Sequence, residues 1–249
     1  MADRGKKGPI RLAVVVSHPV QHFISFYQSL AAQSEIDLVV FYASRMGVEP
    51  YFDAEMRTEI TWKMDLLGGY EHVFLPEADG IKSTAPLSVN NPSISDALDS
   101  FDPAVVLIYG YSQVTMLRAL RWCRRRKVPA MMIADSTPRV PQAGWRRLAK
   151  KVLVPKLLDQ FACFLTVGDR NEDFYRQYGI ADERLFRSPF TIDENRYRAA
   201  RKDRQALRAG TRQALGIGED AIVALCVGKL SERKRVRDVI SAAERLRGG

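Results

Sequence analysis

Apolar runs at residues 10–16, 36–42, 104–109, 128–134, 161–167 and 221–228 punctuate this chain, and most lead through a turn into a stretch of helical spacing. Runs rich in Val, Ile and Leu without polar alternation are typical of strands buried on both faces, as in parallel sheets. Helical periodicity over residues 20–31, 114–126 and 145–160 supplies the crossovers between them. This order predicts an α/β protein built on a Rossmann-like, doubly wound parallel sheet, with its first β-α-β unit complete by about residue 42.

Residues 45–95 carry Gly68-Gly69, Pro76, Gly80, Pro86 and Asn90-Asn91-Pro92, and read as loops with one or two short strands. A short helix is expected over 93–100, and another over 171–178 that Gly179 stops. Residues 195–215 read as one charged helix, and 221–228 as the first strand of a second Rossmann-like domain. The expected organisation is a first domain over 1–190, a linker and charged helix over 191–215, and the incomplete start of a second domain over 216–249.

With 46% hydrophobic and 27% charged residues in 249, the composition is that of a globular protein able to bury a core. No apolar run approaches the roughly 20 residues that cross a bilayer. The run at 10–16 is too short for a signal peptide and reads as a first strand behind a disordered basic tail. Cys123, Cys163 and Cys226 are scattered without metal or disulfide spacing, and are expected to be buried or half-buried thiols of a cytoplasmic protein. The net charge of +9 asks for an anionic partner: a phosphorylated substrate, anionic lipid or nucleic acid. It concentrates in helical patches at 118–127, 146–156 and 196–212, which also suit solvated basic helices. No nucleic-acid motif or aromatic stacking pattern accompanies the charge, so nucleic acid is not expected as a partner.

Open α/β sheets bind ligands at the carboxyl ends of their strands, which selects the candidate residues. Gly228, Lys229 and Lys234 follow the run at 221–228 and precede a helix, a setting that can cradle a diphosphate; a solvated basic loop is the alternative. His18, Gln21 and His22 lie at the turn after the first strand, Tyr111 after 104–109, and Asp135 and Ser136 after 128–134. The histidines suit ligand binding or a packed or capping role, and Asp135 and Ser136 suit a site or a helix N-cap. Two histidines do not make a metal site, and none is expected.

Four stretches carry a resemblance. They are Val227-Gly228-Lys229-Leu230 through Lys234; Ser188-Pro189-Phe190-Thr191-Ile192-Asp193 with Tyr197; Val167-Gly168 through Tyr178-Gly179-Ile180; and His18-Pro19-Val20-Gln21-His22-Phe23. In order and spacing they resemble the retaining glycosyltransferase family four, of GT-B fold. The resemblance implies transfer of a sugar from a nucleotide-sugar donor to a glycan or lipid-linked acceptor, with Gly228, Lys229 and Lys234 on the donor diphosphate. It implies an acceptor-side cleft near His18, Gln21, His22, Tyr111, Asp135 and Ser136. It implies no cofactor, since the nucleotide-sugar is a substrate. Lys229 stands where the family usually has arginine, Arg235 where it usually has glycine, and Tyr109-Gly110-Tyr111 where it often has histidine. The family's Glu-x7-Glu motif would fall beyond Gly249, so residues 1–249 alone are not expected to turn over, and no catalytic residue is assigned. The other open reading is a non-catalytic sugar- or partner-binding module. The helix at 145–160 either packs on the sheet or docks its basic face on anionic lipid at the inner membrane surface.

Overall fold

The computed structural model describes residues 8–53, 57–60, 62, 64–138, 145–192, 194–228, 230 and 232–247. The chain divides into two compact units, Met1–Tyr51 with Thr61–Ile192, and Phe52–Ile60 with Asp193–Gly249.

The first unit opens with β1 (Ile10–Val16), α1 (Gln21–Ala31) and β2 (Ile36–Tyr42). A small two-stranded sheet, β3 (Tyr51–Asp53) and β4 (Thr58–Ile60), follows where the chain passes into the second unit and back. Then come β5 (Glu71–Phe74), α2 (Ile94–Phe101), β6 (Val105–Tyr109), α3 (Val114–Arg126), β7 (Ala130–Ala134), α4 (Trp145–Leu158), β8 (Cys163–Thr166), α5 (Asp169–Gln177) and β9 (Leu185–Arg187). Seven strands form one sheet in the order β5-β2-β1-β6-β7-β8-β9, and every described pairing in it is parallel. The predicted Rossmann-like parallel sheet is therefore present.

The apolar runs do not alternate because both faces are covered. Side chains point to opposite faces at successive positions. Ala13 and Val15 accordingly pack with α2, α3, α4 and α5 through Ile94, Leu98, Met116, Leu158 and Tyr175. Leu12, Val14 and Val16 pack on the other face with Phe23, Ile24 and Tyr27 of α1. Right-handed crossovers account for this split, because the chain first winds outward from β1 to β2 and later the other way from β6 to β9.

Of the two sheet edges, β5 falls where one or two short strands were expected within 45–95, while β9 was not assigned as a strand from the sequence. Glu71–Phe74 and Leu185–Arg187 are short and half-exposed, and become strands by pairing with β2 and β8. Arg187 Nη2 is 2.6 Å from Asp169 Oδ1 and 2.7 Å from Glu172 Oε1, which ties the last strand to α5.

The second unit contains α6 (Glu194–Lys202), α7 (Arg204–Ala214) and α8 (Val236–Arg247). The single helix expected over 195–215 is broken at Asp203. The strand expected over 221–228 is not formed: residues 221–227 take no strand pairing, with Ile222 99% and Val227 83% exposed. Composition favours a strand there, but a strand exists only where a neighbour supplies its hydrogen bonds, and none of the described residues does so. Cys226 in this run is exposed, against the expectation of a buried or half-buried thiol; Cys123 is buried and Cys163 half-buried, as expected.

Candidate functional site

The order β5-β2-β1-β6-β7-β8-β9 places the reversal of winding between β1 and β6. Helices leave these neighbouring strands toward opposite faces, so a crevice opens at their carboxyl ends. The loops at that edge are residues 17–20 after β1, 110–113 after β6, 135–138 after β7 and 167–168 after β8. His18, Tyr111, Asp135 and Ser136, spread over more than a hundred residues, are therefore carried on adjacent strand ends, with Gln21 and His22 on the first turn of α1. Residues 17–20, 110–113, 135–138 and 167–168 contain no lysine or arginine, while the chain after β7 continues through Arg139, which lies outside the described residues.

Neither histidine caps α1: its N-cap is Val20, without a side-chain cap bond. Instead His18 Nδ1 is 2.8 Å from the Ser17 hydroxyl, and Ser17 is buried. Burial lowers the His18 pKa to about 4, and His22 adds to the shift. His18 is thus a neutral imidazole at neutral pH, able to offer one donor and one acceptor. Burial also lowers the His22 pKa, and Asp135 opposes that shift. The His22 ring lies 4.4 Å from Phe190 and 4.5 Å from Phe23, and Thr191 Oγ1 donates to the His22 carbonyl at 3.2 Å. His22 Nε2 is buried and has no hydrogen-bond partner among the described residues. Gln21 is exposed on the same turn.

The turn at Pro19 is backed by Gly47, whose φ is +91°. A Cβ there would stand 3.0 Å from the Pro19 carbonyl oxygen and 3.6 Å from Trp62. Both the left-handed backbone and the close approach call for glycine. Gly47→Ala is expected to destabilise the first unit by about 1–2 kcal/mol, read as a lower thermal midpoint; an unchanged midpoint would refute this role.

On β6, burial pushes the Tyr109 phenol up to about 12, with Asp135 reinforcing the shift. Gly110 (φ +73°) then turns the chain so that Tyr111 follows, half-buried against the apolar core that packs on α3 and α5. Asp135 is exposed and Ser136 half-buried after β7. Neither precedes a described helix directly, as residues 139–144 lie outside the described residues.

Two contributors were missed in the sequence. Asn171, 2% exposed, accepts from the Val167 backbone N–H at 3.1 Å and donates to the Ser136 carbonyl at 2.7 Å. It therefore ties the Asp135-Ser136 loop to the β8–α5 turn. Tyr175, fully buried on the same helix, has a hydroxyl without a hydrogen-bond partner among the described residues. Burial raises its pKa, partly offset by the Asn171 amide beside it, whose own bonds go to Val167 and Ser136. An asparagine on the first turn of a short helix was the only local signal, and nothing in it names Ser136 as a partner.

In the second unit the Lys234 side chain folds back over Gly228, passing 3.8 Å from where a Cβ on that glycine would sit. Lys229 lies outside the described residues. Arg235 adopts φ +51°, the left-handed geometry a glycine takes readily, and pairs with Asp238 at 2.6 Å. Lys234 is exposed and carries no ion pair among the described residues.

No group of three His, Cys, Asp or Glu that could hold a metal ion is gathered among the described residues. No described helix is long and apolar enough to cross a membrane.

No family model matches this sequence, and no curated protein matches it either. Solved structures do. The UDP-GlcNAc 2-epimerase from Neisseria meningitidis, bound to UDP-GlcNAc, superposes with a TM-score of 0.50 at 14% identity, over 85% of this chain and 54% of that one. The enzyme of the same name from Rickettsia bellii gives 0.47 at 12% identity, over 84% of this chain and 52% of that one. At such identity the first match shows the shared fold, a GT-B-like Rossmann architecture. The chain spans about half the length of either structure.

Proposed function

We propose that this chain is part of a GT-B-type enzyme acting on nucleotide-sugars, and that its reaction is retaining transfer of the sugar to a glycan or lipid-linked acceptor. The observation that carries the reading is the separation of chemistry between the two units. Around the crevice the described residues of the first unit offer neutral imidazoles, phenols, hydroxyls and one carboxylate, and no cation lies among described residues 17–20, 110–113, 135–138 and 167–168. Such a set suits the hydroxyl groups of a sugar and suits a diphosphate poorly. In the second unit Lys234 lies over Gly228 just before the start of α8, the helix end that favours an anion.

In this reading Lys229 and Lys234 bind the diphosphate of the donor. The bond from the anomeric carbon to the phosphate oxygen breaks, and the nucleoside diphosphate departs. The acceptor oxygen forms the new bond at the same carbon, and its proton is released. Charge grows on the departing diphosphate, so cations there stabilise the transition state more than the ground state. His18, Gln21, His22, Tyr111, Asp135 and Ser136 orient the acceptor hydroxyl, and Asn171 keeps the Asp135-Ser136 loop in register.

Proton NMR of the protein with a panel of nucleotide-sugars, with and without glycan acceptors, tests this. Transfer releases nucleoside diphosphate only when acceptor is present. Lys234→Ala is expected to weaken that activity about tenfold, through loss of a charge-assisted contact. Acceptor-independent inversion at the sugar C2 would replace the transfer reading with epimerisation. Saturable sugar binding that Lys234→Ala leaves unchanged would overturn the donor cradle and leave a non-catalytic sugar-binding module.

A further inference from the structure

We infer that the outer faces of α3 and α4 form one docking surface for an anionic lipid bilayer. The two helices are consecutive crossovers on the same face of the sheet, and a hydrogen bond of 3.2 Å from Arg124 to Gln160 joins their carboxyl ends. Their outward faces therefore look the same way.

The inward side of α3 is set by Met116, Ala119, Leu120 and Cys123, and that of α4 by Val154 and Leu158. Opposite those positions helical geometry leaves Leu117, Arg121 and Arg125 on α3, and Val152 and Lys156 on α4 with Leu153 at the flank. Leu117, Val152 and Leu153 are 40%, 49% and 64% exposed, high values for aliphatic side chains beside a well-packed core. Neither helix contains an acidic residue, while each contains five basic ones by sequence. Arg121, Arg125, Lys151 and Lys156 are exposed and have no ion pair among the described residues.

On this face of the first unit the charge is local to these two helices. On one flank α2 carries Asp96 and Asp99, and Asp99 accepts from Trp122 at 2.8 Å and pairs with Arg126 at 2.6 Å. On the other flank the α5 cation Arg176 is bound by Glu172, Asp173 and Asp182. A cationic face with aliphatic side chains set among the cations matches a bilayer surface, where long basic side chains reach phosphates and Leu and Val enter the headgroup boundary. Nucleic acid would use the cations but has no use for the aliphatic residues, and the one tryptophan of α3 is buried.

The surface does not depend on the transfer reading, because docking is measured without a reaction. The protein is expected to co-sediment with phosphatidylcholine vesicles containing phosphatidylserine, and not with phosphatidylcholine alone. Arg121→Ala and Arg125→Ala are each expected to weaken this partitioning about fivefold. The pair Val152→Ser with Leu153→Ser is expected to weaken it about tenfold at unchanged ionic strength. All four positions are exposed, so unchanged thermal melting separates lost docking from lost fold. Equal binding to neutral and anionic vesicles overturns the proposal. So does anionic binding that the aliphatic variant leaves intact, or binding to duplex DNA without binding to vesicles.

Discussion

Replacing His18 by asparagine is expected to make the first unit more acid-resistant than the wild type by about 2.5 kcal/mol at about pH 4.5. The folded state holds the His18 imidazole at a pKa of about 4, against 6.5 for an unperturbed histidine. As pH falls through 6.5 the unfolded chain binds a proton there, and the folded chain does so only near 4. Stability is therefore intact above that window, is lost across it, and loses nothing further from this group below it. The total loss approaches about 3 kcal/mol, a large part of the stability of an ordinary domain. His22 is shifted the same way and stays in both proteins. Glu77 and Glu172, whose carboxyls are held low by hydrogen bonds from Ser93 and Arg187 once their desolvation is offset, also remain in both and cancel in the comparison. Asparagine keeps a polar atom within reach of the Ser17 hydroxyl and does not titrate. Urea unfolding of both proteins at about pH 7 and about pH 4.5 measures the difference; parallel stability curves would show that His18 is not held neutral by burial.

Asn171→Leu is expected to cost about 2–4 kcal/mol. Leucine has the same branched heavy-atom skeleton and is somewhat larger, so no cavity opens and the cost arises mainly from lost hydrogen bonding. It leaves the Val167 N–H and the Ser136 carbonyl without the partners that Asn171 supplies at 3.1 and 2.7 Å. A buried polar group that loses its partner bears its full desolvation penalty. The second consequence is local: the Asp135-Ser136 loop loses its tie to the β8–α5 turn. Faster amide exchange at residues 135–137, together with a lower urea midpoint, is the expected pattern. A variant within about 0.5 kcal/mol of wild type would mean that water satisfies both groups.

The interior of the sheet was legible because its strands are buried on both faces, and such strands announce themselves by composition. Ile10–Val16, Ile36–Tyr42 and Val105–Tyr109 fall within a residue of the runs that predicted them. Its edges were less legible. Glu71–Phe74 falls where one or two short strands were expected without set bounds, Leu185–Arg187 was not assigned, and pairing with a neighbour makes both strands. The converse case is residues 221–227, where the composition of a strand is present and the pairing is not. The Arg235 position shows a subtler agreement, since the left-handed backbone at φ +51° is what a glycine there would take.

By itself, then, the sequence determined the alternation of strands and helices, the parallel-sheet class and the turns at which candidate ligand-binding residues fall. These are written in periodicity and turn chemistry, which act over a few neighbouring residues. Only the tertiary structure decided that His18, Tyr109 and Asp135 share one crevice, that burial holds His18 neutral, and that Asn171 reaches across to Ser136. The physical reason is that strand order, desolvation and long-range hydrogen bonds depend on which segments become neighbours, and no local window of the chain contains that information.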